Sequence, residues 1–155
     1  MSTPEAFLQM AVELACTHVS QQGGRPFGAV LVKDGQVVAT GVNQILATHD
    51  PTAHAEIEAM RAATRHQASP RLDGHVMYAS GHPCPMCLAA MYLAGITQVY
   101  YAHSNNEAEA FGLSTAKLYA ELAKPFAEQS LPLVHLPVTT AQHPYLLWQA
   151  RLAQS

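Results

Sequence analysis

Two short stretches hold the residues best equipped for chemistry: Asp50-Pro51-Thr52-Ala53-His54-Ala55-Glu56 and Gly81-His82-Pro83-Cys84-Pro85-Met86-Cys87. They offer an imidazole, a pair of thiols in a Cys-x-x-Cys spacing and a spare carboxylate. Two thiolates and an imidazole suit a tetrahedral zinc, and a catalytic zinc keeps three protein ligands with a fourth position open to water. With these ligands the ion carries no net charge and is a milder Lewis acid than a three-histidine site. It still brings the pKa of water to about 7, and Glu56, which coordination does not require, is free to take the proton. A lone Cys-x-x-Cys could be a redox pair and a lone His-x-Glu means little; their combination makes the signal specific.

The remaining elements must bring these residues to one point. Residues 4–21 place Phe7, Met10, Ala11, Leu14 and Ala15 on one face of a helix, with Thr3 as cap and Pro4 in the first turn. Gly23-Gly24-Arg25-Pro26 breaks it, and residues 27–33 and 36–43 flank Asp34-Gly35 as a hairpin. A second helix opens near Thr52, with Asp50 or Thr52 as cap, and runs to about residue 66 with Ile57, Met60 and Ala63 inward. Side chains at i and i+2 of a helix diverge by about 200°, so His54 and Glu56 can share a metal only at the helix end. A strand over 75–80 turns through Gly81-His82-Pro83 into a third helix over 84–94, which Gly95 ends. The thiols then lie in a first helical turn, where free N–H groups and the helix dipole favour thiolate.

A strand over 96–101, a short helix over 114–123 with Leu118, Tyr119 and Leu122 inward, a proline-interrupted strand over 131–138 and a helix over 143–153 with Leu147, Trp148 and Leu152 inward complete the chain. This order predicts one α/β domain, residues 1–155, with a mixed five-stranded sheet covered by helices on both faces. Both metal-bearing helix starts would then meet at one sheet edge.

Composition limits the partners. Eight Lys and Arg against eleven Asp and Glu give a formal charge of −3, which disfavours a surface that grips nucleic acid. No apolar run is long enough to span a membrane, and Met1-Ser2-Thr3-Pro4-Glu5 lacks the pattern of a secretory signal, so the expected location is cytoplasmic. Cys16 is read as a small buried or half-buried residue of the first helix.

His-x-Glu followed by Pro-Cys-x-x-Cys is the signature of zinc-dependent nucleobase deaminases, and the chain resembles the cytidine deaminase superfamily, within it the guanine deaminase branch. The resemblance rests on Pro26-Phe27-Gly28-Ala29-Val30, on the two stretches above and on Leu118-Tyr119-x-Glu121-x-x-Lys124-Pro125, and extends weakly over nearly the whole chain. It implies a three-layer α/β/α fold, one catalytic zinc per chain, a homodimer and hydrolytic deamination of a free heterocycle: guanine first, another amino-purine, pyrimidine or triazine next. Position by position, it implies His54, Cys84 and Cys87 as metal ligands, Glu56 as proton shuttle, Asn43 as a hydrogen-bonding partner of the substrate ring and Phe27 as a ring lying against it. Phe27 and Asn43 also have plainer readings, as core and as a turn residue.

Three departures open the question of substrate. Leu113-Ser114-Thr115 stands where these deaminases typically carry an acidic pair, Ala153-Gln154-Ser155 where they commonly end in a closing tyrosine, and His82 where glutamate is usual. His82 is either a turn residue that orients a ligand or a carbonyl, or a fourth ligand that closes a structural Cys2His2 site. His49, His66, His75, His103 and His135 read as surface or satisfied core residues, and Tyr100 and Tyr101 as strand packing. Two competing functions stand beside the leading one. A tRNA adenosine deaminase shares the metal motif and favours a basic surface; a non-catalytic zinc-stabilised module has no use for Glu56.

Overall fold

Helix α1 (Pro4–Gln22) begins where Thr3 accepts the Ala6 N–H and ends at Gly23 in the left-handed region. The computed structural model describes residues 2–154. After α1 come the hairpin strands β1 (Gly28–Lys33) and β2 (Gln36–Val42), the single turn α2 (Ile45–Thr48), α3 (Ala55–Gln67), β3 (His75–Gly81) and α4 (Pro85–Ala94). Strand β4 (Gln98–His103), α5 (Asn105–Glu109), α6 (Ala116–Leu122), a 3-10 turn (Phe126–Glu128) and α7 (Pro144–Leu152) follow. The sheet order is β2-β1-β3-β4; β1 is antiparallel to both neighbours, while β3 and β4 are parallel. Asp34 and Gly35 both have positive φ, as a tight hairpin turn with right-handed strands requires.

The alternation of β1 sorts the core into two layers. Val30 and Val32, with Tyr78 of β3, pack against Phe7 and Ala11 of α1. Ala29 and Leu31, with Met77, face Ala55, Ala59 and Ala63 of α3 and Cys84, Cys87 and Met91 of α4. This is the expected α/β/α layering, with the two motif helices on the same side. Glycines seat the helices. A Cβ at Gly28 would lie 2.3 Å from the Ala11 carbonyl oxygen of α1, and one at Gly41 2.3 Å from that of Ala55 and 2.6 Å from the Ala59 nitrogen of α3. The α3 backbone therefore lies directly on β2.

Several expectations need correction. The sheet has four strands, not five: residues 131–138 join no ladder. Pro132 and Pro137 have no N–H to give a neighbour, and Leu131, Leu133, Val134, Leu136 and Val138 are exposed. The chain divides into compact units Met1–Ala123 and Lys124–Ser155; the sheet belongs to the first, and the second holds only the 3-10 turn, this extended segment and α7. A nine-residue helix has no sheet in its own unit to bury against, so Leu147, Trp148 and Leu152, expected inward, are 51%, 65% and 51% exposed. Met10, Leu118 and Leu122 also face outward, and Cys16 is exposed. Helix α3 starts at Ala55, later than the capping signals imply, because the Asp50 carboxylate is engaged in a turn with the Thr52 N–H (2.8 Å) and hydroxyl (2.7 Å).

Replacing Gly41 with alanine is expected to push α3 off β2 and to lower the unfolding free energy by about 1–3 kcal/mol, as overpacking does. The measurement is the urea midpoint; an unchanged midpoint would show that this contact does not seat the helix.

Candidate active site

The two motif helices begin alike. His54 is the N-cap of α3, in extended conformation (φ −70°, ψ 157°), and Cys84 is the N-cap of α4 (φ −70°, ψ 166°). A capping residue lies outside the helical twist, so His54 and Glu56 share the helix mouth although they stand at i and i+2. Pro85 opens α4, and Cys84 Sγ accepts the Cys87 N–H at 3.5 Å, which turns both sulfurs to the same end. His54 Nδ1 lies 3.4 Å from Cys84 Sγ and 3.5 Å from Cys87 Sγ. Ordinary Zn–N and Zn–S bonds at a tetrahedral angle put nitrogen and sulfur about 3.6 Å apart, so the spacing and the donor set both fit zinc. Among the described residues this is the one His/Cys/Asp/Glu grouping of metal-binding geometry.

The electrostatics follow from packing acidic and basic groups at a buried point. The Cys84 thiol is lowered to about 4, first by its hydrogen bond with Cys87 and then by His54. The same bond, with burial, pushes Cys87 up. The Cys84 hydrogen bond raises His54 against the opposing effect of burial. Glu56 is 6% exposed; burial lifts its carboxyl above the ordinary range, opposed by hydrogen bonds from its own backbone N–H and with Cys87.

A cavity of about 510 Å³ opens over this group, and Phe27, Asn43 and Glu56 all line it. Asn43 is fixed on three sides. Its Oδ1 accepts the Ile45 N–H (3.1 Å), its carbonyl oxygen lies 2.7 Å from His18 Nε2, and its own N–H donates to the Phe27 carbonyl (3.3 Å). The Ile45 N–H identifies the amide oxygen, and the NH2 makes no hydrogen bond among the described residues, so Asn43 keeps its donors and one oxygen lone pair for a ligand. The Phe27 ring is half-buried and passes over Gly81, within 3.5 Å of where a Cβ would stand.

His82 also lines the cavity but stands outside the metal grouping. Its Nδ1 lies 2.9 Å from the Pro83 carbonyl oxygen, to which the Tyr119 hydroxyl also donates, and its ring rests against those of Tyr101 and Tyr119. His82 thus stands apart from the three clustered donors, and with Tyr119 it meets the carbonyl of the peptide that leads into Cys84, the contact that the orienting reading calls for. Burial, with the nearby sulfurs and Glu56, pushes the Tyr119 hydroxyl up to about 12, which keeps it a donor. His49, His66, His103 and His135 are exposed, and His75 is buried with Nδ1 at 3.1 Å from the Asp73 carbonyl oxygen. Tyr100 stacks on Tyr78 as strand packing.

Sequence reasoning missed His18, Arg25 and Thr115. His18 is 7% exposed and completes the buried α1 stripe of Phe7, Ala11 and Ala15. A polar residue in phase with an apolar stripe is a signal that could have been read. Arg25 and Thr115, both cavity-lining, sit in loops with no periodicity to place them.

Comparison with known proteins agrees with this geometry. Residues 1–103 match the family model for the cytidine and deoxycytidylate deaminase zinc-binding region. The chain is 41% identical over 145 residues to the guanine deaminase of Bacillus subtilis (strain 168), covering 94% of this chain and 93% of that relative. An X-ray structure of the Bacillus subtilis guanine deaminase superposes with a TM-score of 0.89 at 40% identity, covering 96% and 95% of the two chains. A tRNA-specific adenosine deaminase of Agrobacterium fabrum is 42% identical over 93 residues, covering 58% of this chain and 61% of that one.

Replacing His18 with alanine leaves the buried Asn43 carbonyl without a donor. The expected cost is about 1–3 kcal/mol, seen as a lower unfolding temperature, and KM is expected to rise more than kcat falls. A temperature equal to wild type would show that the bond holds nothing in place.

Proposed function

Because the chain belongs to the cytidine and deoxycytidylate deaminase zinc-binding family, we propose that it hydrolytically deaminates a free aminated heterocycle, with guanine the leading substrate. The observation that carries this is the meeting of His54, Cys84 and Cys87 with buried Glu56 on one cavity. Similarity to a guanine deaminase runs over nearly the whole chain, whereas similarity to tRNA adenosine deaminases covers about three-fifths of it. The formal charge of −3 also favours a free base over a polynucleotide.

A zinc ion held by His54, Cys84 and Cys87, one per chain, supplies a Lewis acid at which water becomes a nucleophile near neutral pH. The rest falls to the protein's own groups. Phe27 lies against the ring and the Asn43 NH2 fixes its orientation. Glu56 takes a proton from the water as its oxygen bonds to the aminated carbon, and passes it to the adjacent ring nitrogen. It then carries the second water proton to the departing amine, so that ammonia and an oxo product leave. Burial suits Glu56 to this work, because a raised carboxyl is a better proton donor at neutral pH.

Exposed apolar side chains support a homodimer. Tyr92 and Leu93 on α4 are each 80% exposed, with Tyr101 of β4 at 44%, the kind of surface that a subunit interface covers. Unpaired thiols at the site suit a reducing compartment such as the cytoplasm. No helix among the described residues is long and apolar enough to cross a membrane.

In Glu56→Gln the amide cannot relay protons. Ammonia release is expected to fall at least about 100-fold, while metal analysis still finds one zinc per chain; Cys87→Ala is expected to lose the zinc. The panel comprises guanine, adenine, cytosine, amino-triazines and a tRNA anticodon stem-loop. Near-normal release by Glu56→Gln would assign the proton transfer elsewhere, and release from the stem-loop alone would make the enzyme a tRNA deaminase. Sedimentation at twice the chain mass of 16.7 kDa is the matching expectation for the dimer.

A further inference from the structure

The three residues of the metal grouping are not held alike. Cys84 caps its own helix by accepting the Cys87 N–H, and Cys87 is fully buried in the core. His54 has neither support. It is half-buried, its side chain makes no capping bond to α3, and its printed contacts with the two sulfurs use Nδ1, leaving Nε2 with no hydrogen-bond partner among the described residues. A metal-binding imidazole usually gives its second nitrogen to a carboxylate or carbonyl that fixes the ring. The position of this ring therefore rests on the backbone at residue 54, and so on the turn that precedes it.

That turn is clamped from within α3. Helical side chains lean toward the N-terminus of their helix, and Arg61, two turns beyond His54, runs back along α3 to the loop. Its Nη2 donates to Thr52 Oγ1 at 2.9 Å and lies 3.6 Å from Asp50 Oδ2, while its Nη1 donates to Glu58 Oε1 at 2.6 Å. Asp50 in turn accepts the Thr52 N–H and hydroxyl. The loop is thus joined to the body of the helix across the capping residue. It also reaches the substrate side of the cavity, because the Ala53 carbonyl accepts the N–H of Gln44, the neighbour of Asn43, at 2.8 Å. A lone surface ion pair holds little, but a planar guanidinium with three partners fixes a geometry. The side chains of Arg61, Asp50 and Glu58 are also mostly covered, at 35%, 38% and 30% exposed.

We infer that Arg61 is a positioning residue for the metal centre: it pins the Asp50–Thr52 turn and thereby holds His54 where the imidazole closes on the two thiols. Loss of Arg61 leaves all three ligands present and loosens one of them, so the effect falls first on metal affinity. This rests on the deaminase reading only in taking zinc as the metal.

The test measures zinc itself, by competition between the folded apo-protein and a chromogenic chelator, with urea midpoints alongside. Arg61→Met keeps the apolar stem and removes the donors. It is expected to weaken zinc binding about ten- to a hundredfold and to change the visible spectrum of the cobalt(II)-substituted protein, which reports ligand geometry. Arg61→Lys, a charge without the fork, is expected to recover part of the affinity. Arg71→Met breaks the exposed pair with Asp73, at the end of α4 away from Cys84, and is expected to leave zinc affinity unchanged. Should Arg61→Met fail to fold, Thr52→Val, which removes the hydroxyl between Arg61 and Asp50 and keeps both ion pairs, is expected to weaken zinc about threefold to tenfold. Wild-type affinity in Arg61→Met, or in Thr52→Val where that is the variant that folds, overturns the inference. So does an equal loss in Arg71→Met, which would make affinity a measure of stability alone. The two readings fail separately: absent turnover with Arg61-dependent zinc affinity rejects the deaminase and keeps the clamp, whereas turnover with zinc affinity indifferent to Arg61 does the reverse.

Discussion

The site depends on where two helices begin. Had α3 begun three residues earlier, His54 would lie inside the helical spiral and its imidazole would diverge from the Glu56 carboxylate by more than a right angle. The Asp50 turn with Thr52 delays the helix until His54 occupies the cap. Pro85, which cannot donate but fits a first turn, sets the start of α4 at the residue after Cys84. Both helix mouths aim N–H groups that no helical carbonyl reaches at the same point, and two sulfurs that must carry negative charge when a metal is bound gather there.

That convergence needs rigid support, and the layered core supplies it. α3 cannot slide along β2 because its backbone rests on Gly41 with no side chain between them, and α1 is seated on Gly28 in the same way from the opposite face. His18 reaches from α1 to the Asn43 carbonyl, so the helix that bears no reactive group still fixes the residue expected to orient the substrate. The cavity floor is thus braced from both faces of the sheet.

Much of this was legible in the residues. His54, Glu56, Cys84 and Cys87 announced themselves by type and spacing, the hairpin by Asp34-Gly35, and α1 by its 3.6-residue stripe. What escaped was set by competition or by context. Thr52 looked like a cap, but the Asp50 carboxylate had already claimed it. Residues 131–138 have the composition of a strand, but pairing requires donors that Pro132 and Pro137 lack. The outward positions of Leu147 and Trp148 could not be read from periodicity, which gives a helix its apolar side but not a surface to meet it. The Tyr119 bond to the Pro83 carbonyl joins residues 36 positions apart, beyond any local pattern.

The division of labour in the cavity separates what can vary from what cannot. The reactive groups sit on helix caps locked into the core, while the wall formed by Gly112, Leu113, Ser114 and Thr115 belongs to the connection between α5 and α6. Tyr119, one helical turn beyond Thr115, ties α6 to the peptide before Cys84, so this loop can change its side chains while its end stays moored. A chain built this way can take substitutions in its cavity wall as changes of selectivity, with the reacting groups left where the core holds them.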